Sequence, residues 1–211
     1  MSAREPQPRP WSPAGRAAAL ILRPRRTWRT IAQEPADGAE LYRRYVGPLA
    51  AVPPVCGVIG GLLFGSGIAG IEIRPSVPGL LAEAALNYLF TLIGVWLLAL
   101  IVALVAPRFG GRAERGQALK LAAYSGTAVW LAGVFALLPS LGMAMMILGG
   151  LYSLYLLREG LPVVMRTPEP RSLTCFALIV ILALALAIAM GAASAYVRSL
   201  VGGPLRVVGG A

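Results

Sequence analysis

Histidine is absent from this chain of 211 residues. With it go His-ligated metal sites, His general bases and every Ser-His-Asp or Cys-His arrangement. Aspartate occurs once, as Asp37, so paired catalytic aspartates are excluded. Lysine also occurs once, at Lys120, and no glycine-rich loop precedes it to cradle a phosphate. The two cysteines, Cys56 and Cys175, each lie inside an apolar run and read as small buried hydrophobes, not as a disulfide framework. The chain is therefore expected not to be an enzyme and to need no cofactor or metal.

Charge is scarce as well. Charged residues make up 13% of the chain against 57% apolar residues, and the mean hydropathy is +0.73, outside the range of an ordinary soluble domain. What the sequence has instead is long uncharged runs. From Leu121 to Leu157 there are 37 residues without one charged side chain. A single helix of that length would reach ~55 Å, far beyond the ~30 Å hydrocarbon layer, so the segment must fold back, and Pro139-Ser140-Leu141-Gly142 at its middle marks the turn. Spans are expected over residues 45–64, 84–106, 118–138, 141–157 and 173–197. The expected fold is an all-α integral membrane protein, a compact bundle of five transmembrane helices preceded by an amphipathic arm.

The cations are 18 arginines and one lysine, against nine acids. They stand beside apolar spans, not on a soluble face with interleaved aromatics, so anionic headgroups account for them and nucleic acid does not. With the N-terminus inside, 16 of the 19 cations fall on the inner side and 3 outside. This predicts a multi-pass protein of the bacterial inner membrane with a cytoplasmic N-terminus and an extracytoplasmic C-terminus. Residues 1–12, with three prolines and no apolar run, read as a disordered tail, and 198–211 as a short outer tail. The apolar stretch 17–22 is too short for a secretory signal.

Residues 13–44 form a basic arm, split at Pro24, which cannot donate a helix hydrogen bond. One reading lays it on the membrane surface, with Leu20, Ile21, Trp28 and Ile31 in lipid and Arg23, Arg25, Arg26 and Arg29 at headgroups. A solvated cytosolic arm fits the same residues. Within the spans, small residues four apart predict contact stripes at Gly57, Gly61 and Gly65, at Ala118, Ala122 and Gly126, and at Ala183, Ala187, Gly191 and Ala195. A stripe left over from internal packing would serve a homo-oligomer. Pro53 and Pro54 should bend the first span. Glu83, Asn87 and Thr91 share one face of the second span, which suggests helix–helix hydrogen bonds or, as an alternative function, a small transporter or channel.

The order of residues carries a further signal. Pro24-Arg25-Arg26-Thr27-Trp28-Arg29-Thr30-Ile31 is followed by Glu34 and then by Tyr45-Val46-Gly47-Pro48-Leu49. Then come Tyr124-Ser125-Gly126, Trp130-Leu131, Pro139, Leu141-Gly142, Gly150-Leu151-Tyr152-Ser153-Leu154-Tyr155-Leu156-Leu157 and Gly160. Over residues 20–195 this resembles the Yip family, the Ypt-interacting membrane proteins, in its bacterial branch. The resemblance implies a cytosolic N-terminus, five spans and a short outer tail, and a role in protein and lipid contacts at a membrane. Eukaryotic members bind Rab GTPases and one another in vesicle traffic. Their motif before span one is Asp-Leu-Tyr-Gly-Pro, of which this chain keeps Gly47 and Pro48 and has Arg44 in place of the acid. Physically, Pro48 is suited to a helix entry, and Tyr124, Tyr152 and Tyr155 to buried hydrogen bonds or interfacial anchoring. The expected role is membrane organisation or adaptation, through lipid or through a membrane or cytosolic protein partner.

Overall fold

A computed structural model describes residues 12–64, 66–68, 71–73 and 76–201. The expected tail at 1–12, apart from Ser12, lies outside the described residues. So do Gly65 and the expected outer tail beyond Val201. Five helical stretches are long and apolar enough to cross a membrane: Gly38–Phe64, Val77–Phe109, Arg115–Leu137, Leu141–Val164 and Glu169–Ser199. This is the all-α five-span architecture expected from the sequence.

The arm is two helices, α1 (Pro13–Leu22) and α2 (Pro24–Gln33). Ser12 caps the first, its Oγ accepting from the Gly15 N–H at 3.1 Å, with Pro13 next in line where a missing N–H costs nothing. Pro24 does split the arm, and α2 starts on it. Asp37 then caps a short helix, α3 (Gly38–Leu41), and a π turn follows at Tyr42–Val46. That turn ends where the Gly47 N–H reaches the Tyr42 carbonyl and Pro48 offers no N–H. Pro48 therefore sits within a continuous helical run into α4 (Gly47–Ala50). The expected helix entry at Pro48 is corrected to a mid-run position where the hydrogen-bond ladder is already loosened.

The bend expected from Pro53 and Pro54 is present as a break at Ala51, after which α5 runs over Val52–Phe64. Two three-residue strands, β1 (Ser66–Ile68) and β2 (Ile71–Ile73), pair antiparallel beyond it, Gly67 opposite Glu72. Ser76 caps α6 (Val77–Val105), a helix of 29 residues. A 3₁₀ turn at Ala106–Phe109 ends on Gly110 at φ 85°, a left-handed position that suits glycine. The uncharged stretch folds as α7 (Arg115–Ser125), α8 (Thr127–Ala132), a 3₁₀ turn at Gly133–Leu137 and α9 (Pro139–Val164). The chain reverses through that 3₁₀ turn and the extended Leu138, so Pro139 opens α9 and is not the middle of the turn. Last comes α10 (Glu169–Val201), 33 residues long and so several residues beyond the expected span at each end.

Burial is uneven along the membrane normal. Trp28, Ile31, Tyr45, Leu121, Tyr124, Leu156, Leu161, Met165, Cys175 and Ile179 are all buried, and all lie toward the arm. At the other end Leu62, Leu63, Leu81, Ile147, Ile188 and Tyr196 are exposed, as lipid-facing side chains must be. The small-residue stripes fare unequally. Ala118 and Ala122 are buried as expected, and Gly126 lies under the Trp130 ring. In α5 the close contact is instead made by Gly60, where a Cβ would come within 2.5 Å of the Ala136 carbonyl oxygen, whereas Gly57 has nothing within 4 Å. Gly61 of the expected stripe also packs, a Cβ there coming within 3.1 Å of the Leu80 side chain of α6, so the stripe holds at Gly61 while Gly60 takes the place of Gly57. In α10, Ala183 is half-buried while Ala187, Gly191 and Ala195 are exposed, and Gly191 has nothing within 4 Å.

Candidate functional site

Three of the four apolar arm residues expected to face the bilayer face the bundle instead: Leu20, Trp28 and Ile31 are completely buried and Ile21 is half-buried, because the apolar face of α2 docks on α9 and meets Tyr124 and Lys120 of α7. Trp28 is the centre of that contact. Its ring meets Tyr124 edge-on, with centroids 6.3 Å apart at 86°, and presses on Gly160, where a Cβ would come within 2.7 Å of the indole. Only glycine leaves the room. Taking an indole out of water contributes up to about 5 kcal/mol, so the arm prefers the bundle to solvent.

Polar ties then fix the arm at its helix ends. The Lys120 ammonium donates to the carbonyls of Ile31 and Glu34, each at 2.7 Å, and so satisfies the C-terminal end of α2, where free carbonyls and the helix dipole both favour a cation. Tyr152 donates its hydroxyl to the Ile21 carbonyl at 2.7 Å, which does the same for α1. Arg16, itself buried, pairs with Glu34. Arg25 pairs with Glu159 of α9 at 2.7 Å, and that carboxylate raises the guanidinium above its ordinary value. Below Trp28, Tyr45 and Tyr124 stack at 4.6 Å. Thr127 donates to the Tyr124 carbonyl at 2.6 Å and so receives the Tyr45 hydroxyl proton at 2.7 Å.

The residues that carried the family resemblance therefore converge. Trp28, Tyr124, Tyr152 and Gly160 meet at one clasp between the arm and the bundle. Gly47 lies further along the first span and accepts from Tyr88 at 3.3 Å. Pro48 is exposed, and Tyr155 is half-exposed with its ring 5.4 Å from that of Tyr152. Pro139 is remote from the clasp, at the start of α9. Trp28 is corrected from a lipid or partner contact to a buried anchor. Arg23, Arg26 and Arg29 are exposed on the outer face of α2, and the side chain of Arg25 is too, despite its ion pair. Sequence reasoning missed Lys120, Thr127 and Glu159, and it named Glu34 for the family resemblance without its partner Arg16; for the first three, a lone lysine at the start of an apolar span was the one signal available.

Glu83, Asn87 and Thr91 share a face, as their spacing predicts, but far from the clasp. With Ala183, Ala187, Gly191 and Arg198 of α10 they line a cleft of about 450 Å³ that is open along its side. It is not an enclosed passage. Among the described residues, no group of three or more His, Cys, Asp or Glu is placed to hold a metal ion.

Neither a curated protein nor a solved structure matched the chain. The family model of the Yip1 domain matches residues 18–191. That stretch begins within α1, takes in the whole clasp and ends in the outer half of α10. The docked arm and the five spans are one unit, and the chain belongs to the Yip1 domain family.

Proposed function

We propose that this chain is a non-enzymatic adaptor of the bacterial inner membrane, with its N-terminus in the cytoplasm and its C-terminus outside, that engages anionic surfaces through its docked arm. The observation that carries this reading is the two-sidedness of α2: Thr27, Trp28 and Ile31 are buried against the bundle while Arg23, Arg26 and Arg29 face outward. A helix held on a rigid base presents guanidinium groups with little left to order on binding. Anionic headgroups are the first partner and an acidic protein surface the second. The orientation is supported by the 16 to 3 split of cations across the bundle. Near an anionic surface each arginine contributes about 1 kcal/mol, so the three together supply several.

The test uses the full chain in nanodiscs of mixed phosphatidylglycerol and phosphatidylcholine, reading the enrichment of the anionic lipid around the protein. The expected result is enrichment that falls in the Arg23→Gln/Arg26→Gln/Arg29→Gln variant and with added salt. Equal composition around parent and variant would remove the lipid partner. Crosslinking of the same two proteins in native membranes then decides for or against an acidic protein partner.

A further inference from the structure

The cleft between α6 and α10 has walls whose chemistry changes with depth. At the rim, on the side remote from the arm, Glu83 and Arg198 pair at 2.8 Å, both more or less half exposed at 57% and 50%. One helical turn deeper, ~6 Å, stands Asn87, whose carboxamide has no hydrogen-bond partner among the described residues. Thr91 follows, its hydroxyl turned back to the Asn87 carbonyl at 2.8 Å. Beyond Thr91 the walls are apolar, from Gly94 to Leu98 on α6 and at Ala183 and Leu186 on α10. Gly94 and Gly191 both have nothing within 4 Å. The floor is closed where α10 packs its buried Cys175 and Ile179.

The Asn87 carboxamide is exposed in the cleft, so an occupant that brings a polar group to its level is favoured over a purely apolar one. A phospholipid does so level by level. Its phosphate accepts from Arg198, an amine on its headgroup donates to Glu83, its ester carbonyls accept from Asn87, and an acyl chain runs along Gly94 to Leu98. The cleft extends along α6 from Glu83 to Leu98, ~22 Å, enough for a headgroup region plus one ~15 Å hydrocarbon leaflet. A second transmembrane helix has its backbone groups already satisfied and so offers no free carbonyls at the level of Asn87. We propose that the cleft binds one phospholipid of the remote leaflet, with selectivity for an amine-bearing zwitterionic headgroup. This site is separate from the arginine face of the arm and stands or falls without it.

The experiment is native mass spectrometry of the full chain released from phosphatidylcholine nanodiscs doped with phosphatidylethanolamine or phosphatidylglycerol. The expected result is one retained phosphatidylethanolamine per chain in preference to phosphatidylglycerol. Gly94→Leu and Gly191→Leu, which direct their added bulk into open space, should abolish retention with a melting temperature no lower than the parent's, since each also gains helix propensity. Glu83→Gln should lower the preference for phosphatidylethanolamine by roughly tenfold, the worth of one hydrogen bond to a charged group. Arg198→Gln should weaken retention of either lipid. Retention unaffected by both glycine variants overturns the site, and equal retention of the two lipids by the parent overturns the headgroup assignment. Disulfide dimers formed by Ala187→Cys and absent from the parent would put a second copy of the chain in the cleft instead.

Discussion

Near the arm, α2, α7 and α9 close so tightly that a Cβ on Gly160 would come within 2.6 Å of Leu121 and 2.7 Å of Trp28, whereas along the seam of α6 and α10 Gly94 and Gly191 meet nothing within 4 Å. The two regions are made of similar residues, small ones among leucines and alanines. They differ in what surrounds them. The arm end is partly in water, where burial of Trp28, Leu20 and Ile31 drives docking, and its helix ends find polar partners in Lys120 and Tyr152. Along that seam the apolar surface faces lipid, burial from water supplies no drive to close it, and among the described residues the Glu83–Arg198 ion pair bridges its rim. A polytopic protein can thus be tight at one helix seam and open at another without any change of fold; on the same remote side Gly60 of α5 still packs closely on Ala136.

The contrast is broken most directly at Trp28. Trp28→Ala removes the anchor from a fully buried site and is expected to cost about 3–5 kcal/mol. Denaturant titration of the full chain in micelles checks the figure, and trypsin access to Arg23, Arg26 and Arg29 reports whether the arm has left. A cost below about 1 kcal/mol, a surface-like value, would mean the arm end is no tighter than the rest. Lys120→Met comes next, at about 3 kcal/mol, since it keeps the chain length of the side chain and deletes two charged hydrogen bonds to carbonyls that water does not reach. It should loosen α2 while leaving the five spans intact by circular dichroism.

These two residues also show how far the sequence could be read. The spans were legible because crossing a bilayer is a property of composition and length, which a single segment carries by itself. The destination of the arm was not. An amphipathic helix such as α2 presents the same pattern whether its apolar face meets lipid or protein, and the groups that decide are far along the chain: Lys120 is 89 residues from Ile31, and Tyr152 is 131 from Ile21. The family resemblance pointed to Trp28, Tyr124, Tyr152 and Gly160 one at a time without saying that they touch. The polar face of Glu83, Asn87 and Thr91 was legible from its four-residue spacing, but its facing wall on α10 was read as a packing stripe, because small residues look alike whether they meet a helix or a cleft.

Smaller effects sharpen the same comparison within single elements. Gly60→Ala forces a methyl to within 2.5 Å of the Ala136 carbonyl oxygen, a backbone atom that cannot swing aside, and is expected to destabilise by about 1–3 kcal/mol. Tyr152→Phe deletes the single bond to the Ile21 carbonyl at 2.7 Å, for about 1 kcal/mol, read as faster cleavage of α1 and not as unfolding of the bundle.

Gly57→Ala is the smallest and the most discriminating, because Gly57 is three residues from Gly60 on the same helix. The two share backbone conformation, hydropathy and depth to within one turn. They differ in facing: Gly60 meets Ala136, while Gly57 has nothing within 4 Å. The helix propensity gained on replacing glycine by alanine, about 0.5–1 kcal/mol, is common to the two substitutions. At Gly57 nothing opposes it, so the variant should be slightly more stable than the parent in the same denaturant titration, with the opposite sign to Gly60→Ala. If the two variants shift stability the same way, α5 does not pack through Gly60.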